Sequence, residues 1–247
     1  MEANPASDKY MHIFEHLKEL RKRLIISVIS FAVFVVVAFS IHNEIVDLFI
    51  KFYSSIPSGG ENKLFVNSIV EGMTTKIKIS LIMGLILSMP LHIYNIVAFI
   101  FPALNKKEKG CLAAALVCSF ILVIVSIYLS YFKILPISIK FLTDSDFIPQ
   151  DVGLLLNYKT NLFYALYFVF WSIIGFQSPI VFVLLMAFNI IKRKTALAAS
   201  RYIIVLIFVV SAIVTPPDVV SQVGLAIPLV ILYFMAILVA KIFKFGE

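Results

Sequence analysis

Two carboxylates four residues apart, Glu15 and Glu19, share a face of an N-terminal segment with helical spacing. A third, Glu108, falls in a short basic loop between two apolar runs. Carboxylates collected at the mouth of a bundle suit a guanidinium, which offers parallel N–H donors to both oxygens of an acid. The same residues have a plainer use: Glu19 can pair with Arg23 one turn on, and Glu108 with its lysine neighbours, as solvated ion pairs. Spacing alone leaves both uses open. Gln177 is a different case, a neutral amide inside an apolar run between Gly175 and Pro179, where an unmet hydrogen bond is costly. It calls for a partner, either on another helix of the same chain or on the helix of a second protein.

Constellations for catalysis are missing. There is no G-x-S-x-G, no H-E-x-x-H, no G-x-x-x-x-G-K-[ST] loop and no Cys/His cluster at metal spacing. His12 and His16 lie on one helix face without a third ligand, and read as interfacial residues. His92, two residues after Pro90, is expected to bond backbone freed by a proline kink. Cys111 and Cys118 share a helix face inside one apolar run, which suits packing and not a disulfide. Neither an enzyme nor a metal nor a cofactor is expected.

The elements that hold these residues are membrane spans. In 247 residues, 61% are hydrophobic and only 14% charged, and the mean hydropathy is +1.01; that is outside the range of soluble domains. The net charge of +7 is broken up between apolar runs, so it reads as topology and contact with lipid, not as a nucleic-acid surface. The runs have helical length and lack the alternation of barrel strands. Residues 11–23 form an amphipathic segment, with Phe14, Leu17, Leu20 and Leu24 on one side and Glu15, Lys18, Glu19 and Lys22 on another. It leads into a first span over 24–43, which is longer than a signal-peptide core, lacks a small-x-small cleavage site and reads as an anchor.

A loop over 42–78 follows, with the turn Pro57-Ser58-Gly59-Gly60 and enough apolar residues to pack on the membrane or the bundle. The second span, 79–104, carries Pro90, where a kink is expected. The third runs over 111–132, a polar loop covers 133–161, and the fourth span is 162–191. Only fourteen residues separate Arg201 from Pro216, about 21 Å of helix, so the last two spans are expected to be short. The chain reads as an all-α polytopic protein of six transmembrane helices: an N-terminal segment 1–23, a helical domain 24–241 and a tail 242–247. Placing the N-terminus inside assigns fourteen Lys/Arg to that side and seven to the other, along with eight of the acids. The positive-inside rule then puts both termini in the cytoplasm.

Four segments, in order, resemble the TatC family, the multispanning receptor subunit of the twin-arginine protein translocase. They are His16-Leu-Lys-Glu-Leu-Arg-Lys-Arg-Leu24; Pro90 with Phe99-Ile-Phe-Pro-Ala-Leu104 and Glu108; Phe176-Gln-Ser-Pro179; and Thr215-Pro-Pro-Asp-Val-Val-Ser-Gln222 with Ile227-Pro228. The resemblance spans nearly the whole chain. It implies a receptor in the bacterial inner membrane that binds the twin-arginine signal peptides of folded precursors. It also implies recruitment of small single-span partners of the TatA and TatB types, assembly into an oligomer, and export driven by the proton-motive force. By the same likeness Glu19 and Glu108 hold the arginine pair, with Arg21 and Phe99 in support, and Gln177, Asp218 and Gln222 contact partner helices. Gln177 departs from the family, which usually has Glu there; so does Tyr233-Phe234, where many relatives have Glu second. The rival readings are weaker: a small-solute transporter wants paired ionisable groups at mid-membrane, and an intramembrane hydrolase wants a buried nucleophile and base.

Overall fold

The computed structural model describes residues 5–54, 64–103, 106–144, 155–215 and 218–246. The Pro57–Gly60 turn, Asp146, Asp151, Pro216, Pro217 and the side chain of His12 lie outside the described residues. Eight α-helices account for nearly all of the described chain: α1 (Pro5–Ser40), α2 (His42–Ser54), α3 (Ile69–Ile100), α4 (Lys106–Leu129), α5 (Leu135–Leu142), α6 (Tyr158–Ala187), α7 (Arg193–Val214) and α8 (Val219–Ile242). A 3-10 turn, Phe101–Ala103, extends α3, and a π-helical turn, Ser130–Ile134, joins α4 to α5. Among the described residues six stretches are long and apolar enough to cross a membrane, and the fifth and sixth, of 22 and 24 residues, are shorter than the others at 27 to 35.

Several boundaries differ from the sequence expectation, each for a local reason. The amphipathic segment and the first span form one unbroken helix, because nothing in 11–23 breaks helical backbone. The expected loop after span one holds α2, whose Ile45, Val46, Phe49 and Tyr53 recur at helical spacing and are buried on the bundle. The third span does not stop at Phe132 but continues to Leu142. Pro136 has no amide hydrogen and its ring would crowd the carbonyl four residues back; the π-helical turn widens the ladder there, so the helix passes on into α5. Helix α7 begins at Arg193 and not after Arg201, so the basic stretch is helical. Pro90 and Pro179 lie inside α3 and α6, which continue through them.

The centre of the bundle is α6, which packs against α2, α3, α4, α7 and α8. Its fully buried side chains include Leu162, Leu166, Phe168, Ile173 and Phe176. At one end, α2 and two short paired strands, Leu64–Phe65 and Leu156–Asn157, close over the helices. Tyr53 donates to Asn161 O at 2.7 Å and Tyr131 to Leu48 O at 2.8 Å, which fastens α2 down. The Glu71 carboxylate accepts from Asn67 N and from Asn157 Nδ2, linking the start of α3 to the start of α6. Helix α1 lies along α3, and α7 leans chiefly on α8. Both leave rows of Val, Ile and Leu uncovered, as helices facing lipid do.

Candidate functional site

Helices α1 and α3 run antiparallel and meet at close range. A methyl group placed on Gly84 would lie 2.5 Å from Val35 Cγ2 and 3.0 Å from Val35 N, so only glycine lets the two backbones approach there. Toward the end away from α2, Asn95 Nδ2 donates to Ser27 Oγ at 3.0 Å and the His16 and Phe99 rings stack at 4.3 Å. His16, Glu19, Arg23 and Ser27 recur every three or four residues, so all four point along α1 toward α3. The N-terminal part of α4 completes a cavity of about 550 Å³ at this end of the bundle. Its walls are Glu19 and Arg23 from α1, Tyr94, Val97, Ala98, Phe101 and Pro102 from α3 and its 3-10 turn, and Lys109, Ala113 and Leu116 from α4.

Inside it, Arg23 Nη2 meets Glu19 Oε1 at 3.4 Å. The guanidinium carbon is 6.0 Å from the centre of the Tyr94 ring, and Lys109 Nζ is 5.3 Å from that of Phe101. A carboxylate, two aromatic faces and an apolar floor can take a planar cation together with the apolar residues beside it. Of the residues singled out from the sequence, Glu19 lines the cavity. Phe99 reaches the same face of α1 through His16. Glu108 sits half-buried in the first turn of α4, next to the wall residue Lys109. Arg21 is exposed; two residues from Glu19, it is about 200° around the helix. Arg23, Tyr94 and Lys109 were not singled out for this site, because only the crossing of α1, α3 and α4 brings them together.

Deeper in the bundle, Ser119 of α4 donates to Gln177 Oε1 of α6 at 2.5 Å, and Gln177 Nε2 lies 3.5 Å from Ser119 O. His92 Nε2 is 2.8 Å from Ser88 Oγ, and it is this hydroxyl, not the imidazole, that reaches backbone, at Gly84 O. The backbone bond expected of His92 is therefore replaced by one to the Ser88 hydroxyl, a turn earlier on α3. Asp218 is buried at the N-cap of α8. It accepts from Ser221 N at 2.6 Å, from Ser221 Oγ and from Ser138 Oγ at 3.1 Å; Ser138 Oγ also pairs with Tyr164 OH at 2.7 Å. Gln222, one turn on, donates to Phe208 O of α7 at 3.2 Å and lines an open apolar groove with Ile204, Val205, Phe208, Val209, Ala212 and Ile213. Asp218 and Gln222 are thus divided between the interior and the surface.

The family model of the Sec-independent protein translocase protein TatC matches residues 15–228. The chain belongs to the TatC family. It is 31% identical to the TatC protein of Carboxydothermus hydrogenoformans over 238 residues, 96% of each chain. It is 34% identical to that of Aquifex aeolicus over 232 residues, 94% of this chain and 95% of the relative. A crystal structure described as the twin arginine translocase receptor TatC superposes with a TM-score of 0.77 at 33% identity, covering 92% of this chain and 98% of the other. A second structure of TatC, in the detergent DDM, gives 0.79 at the same identity over 94% and 99%. The chain is thus a TatC-family translocase protein with six apolar helices of membrane-spanning length. At the second departure from the family pattern, Tyr233 is buried with its hydroxyl donating to Ala196 O at 2.7 Å, which ties α8 to α7, while Phe234 is exposed.

Proposed function

We propose that this TatC-family chain is the receptor of a twin-arginine translocase in a bacterial inner membrane, with both termini in the cytoplasm. The observation that carries the reading is the Glu19 carboxylate, held by α1 against α3 at the wall of an aromatic-lined cavity of about 550 Å³. Glu19 takes one arginine of the signal peptide and Glu108, at the start of α4, the other; Phe99 supports the face of α1 on which Glu19 lies, and Arg21, on the exposed side of α1, meets the peptide or precursor beyond the cavity. A guanidinium fits such a carboxylate better than an ammonium does, because its planar fork donates twice. The fourteen-to-seven excess of basic residues supports the orientation.

Small single-span partners of the TatA and TatB types dock on the uncovered faces, with Gln222 in the α7–α8 groove and Gln177 as polar contacts and Asp218 acting through the α8 start it holds. In this reading the receptor assembles as an oligomer and turns nothing over, and the proton-motive force drives export. The test is crosslinking of a twin-arginine precursor to this protein in membranes beside a twin-lysine control, repeated with Glu19→Gln and Glu108→Gln. Loss of a charge-assisted pair, about 1.5–3 kcal/mol, lowers affinity about tenfold or more in each variant while insertion is kept. Crosslinking indifferent to the arginine-to-lysine swap and to both substitutions would remove the receptor reading.

A further inference from the structure

The cavity is already occupied by a guanidinium of its own. Arg23 reaches Glu19 through one nitrogen at 3.4 Å, long for a charge-assisted bond and without the two parallel contacts of a fork. Its Nε is buried and has no hydrogen-bond partner among the described residues. A donor left in that state costs free energy that a purely structural ion pair has no reason to carry. The cavity's charged walls are Glu19, Arg23 and Lys109, with Glu108 beside Lys109, so each carboxylate that a cationic peptide would meet already has a cation near it while Arg23 stays in place. With a quarter of its side chain exposed, 26%, Arg23 has a route to water.

We infer that Arg23 is a resident competitor for the Glu19 carboxylate, which an arriving arginine displaces, and that it thereby sets the affinity of the site. This rests on the reading of Glu19 as a peptide carboxylate. A site whose binding-competent form is only partly populated binds more weakly by that fraction, and the resident pair supplies the fraction. Arg23 therefore opposes the peptide and forms no part of its anchorage. The arriving arginine wins by presenting both nitrogens to a carboxylate that Arg23 engages with one.

The test titrates a labelled synthetic twin-arginine peptide into the full-length protein in lipid nanodiscs. Arg23→Gln and Arg23→Met both remove the charge, one keeping a polar end and the other the aliphatic stem, so that one neutral variant remains if the other does not insert. Both are expected to bind about two- to fivefold more tightly than wild type, the worth of a partly exposed ion pair, while Arg23→Lys, still a cation, stays near wild type. Neutral variants that bind equally or more weakly, beside a Glu19→Gln variant that loses binding, overturn the inference. So does Arg23→Lys tightening as much as the neutral variants, since that would reflect a loosened helix. If Glu19→Gln itself binds like wild type, the receptor-site reading fails first, on a separate arm.

Discussion

Ser119 on α4 donates to the amide oxygen of Gln177 on α6 at 2.5 Å, across the interface of two spans. The amide of Gln177 is therefore partly engaged at home, and only its remaining capacity faces outward. Gln177→Glu keeps an acceptor for Ser119 and should be tolerated. Gln177→Leu should cost about 0.6 kcal/mol, up to roughly 1.7, and weaken partner recruitment without touching precursor binding. A double-mutant cycle with Ser119→Ala measures the internal share. Full partner crosslinking and transport in the Leu variant would leave Gln177 as a packing residue.

Asp218 is the acceptor for Ser221 N, Ser221 Oγ and Ser138 Oγ. Asp218→Ala removes an N-cap, worth about 0.5–2 kcal/mol, and orphans buried donors at about 1–3 kcal/mol. The melting midpoint in detergent should fall clearly, and Asp218→Asn, which keeps one acceptor oxygen, should fall less. Equal midpoints for wild type and the Ala variant would mean that the network carries no stability.

Gly84 sets the distance between α1 and α3. Gly84→Val drives a side chain into Val35 backbone, which cannot rotate away, and should cost about 1–3 kcal/mol. Helix α1 then lifts and the wall bearing Glu19 moves with it. In a Ser27→Cys background with Cys111 and Cys118 replaced, the partly covered thiol should react faster with a thiol reagent in the Val variant. Protection equal to wild type would show that the helices accommodate the branch.

His42, at the start of α2, is buried, and its Nδ1 has no hydrogen-bond partner among the described residues. Burial first, and then the Lys76 ammonium, hold its pKa below the usual 6.5. Above that value folded and unfolded chains both carry a neutral imidazole, and stability is complete. As pH falls through it the unfolded chain takes the proton first, so stability declines until the folded pKa is reached. Melting midpoints between pH 7.5 and 5 should drop less in His42→Gln than in wild type. Parallel pH profiles would rule His42 out as the source.

The six spans were legible because each is an apolar run bounded by charges, and that signal is independent of how the runs pack. Helix α2 and the extension into α5 were not, because Lys51, Lys133, Lys140 and Pro136 look like loop residues when polarity is read without periodicity. Glu19 was legible from its place beside the first span. Arg23 was legible only as its ion-pair partner, and Tyr94 not at all, since a cavity wall depends on the register between helices 70 residues apart in the chain. Arg21 follows from likeness of motif; a helical wheel alone sets it on another side of α1 from Glu19.

The hydrogen bond from Arg193 N to Gly246 O, at 2.9 Å, links the first turn of α7 to the segment after α8. Gly246 has a φ of 65°, and a side chain there would run into Ile191 O at 2.9 Å. Helix α7 buries only Ala196 and Ser211 and leans mainly on α8, which follows it. During synthesis, then, α7 enters the bilayer as a loosely held rod, and its lodging waits for α8 and for residue 246 to leave the ribosome. Lodging of α7 is in this way tied to the arrival of α8 and of residue 246, and a chain cut short within α8 would leave α7 without its main support.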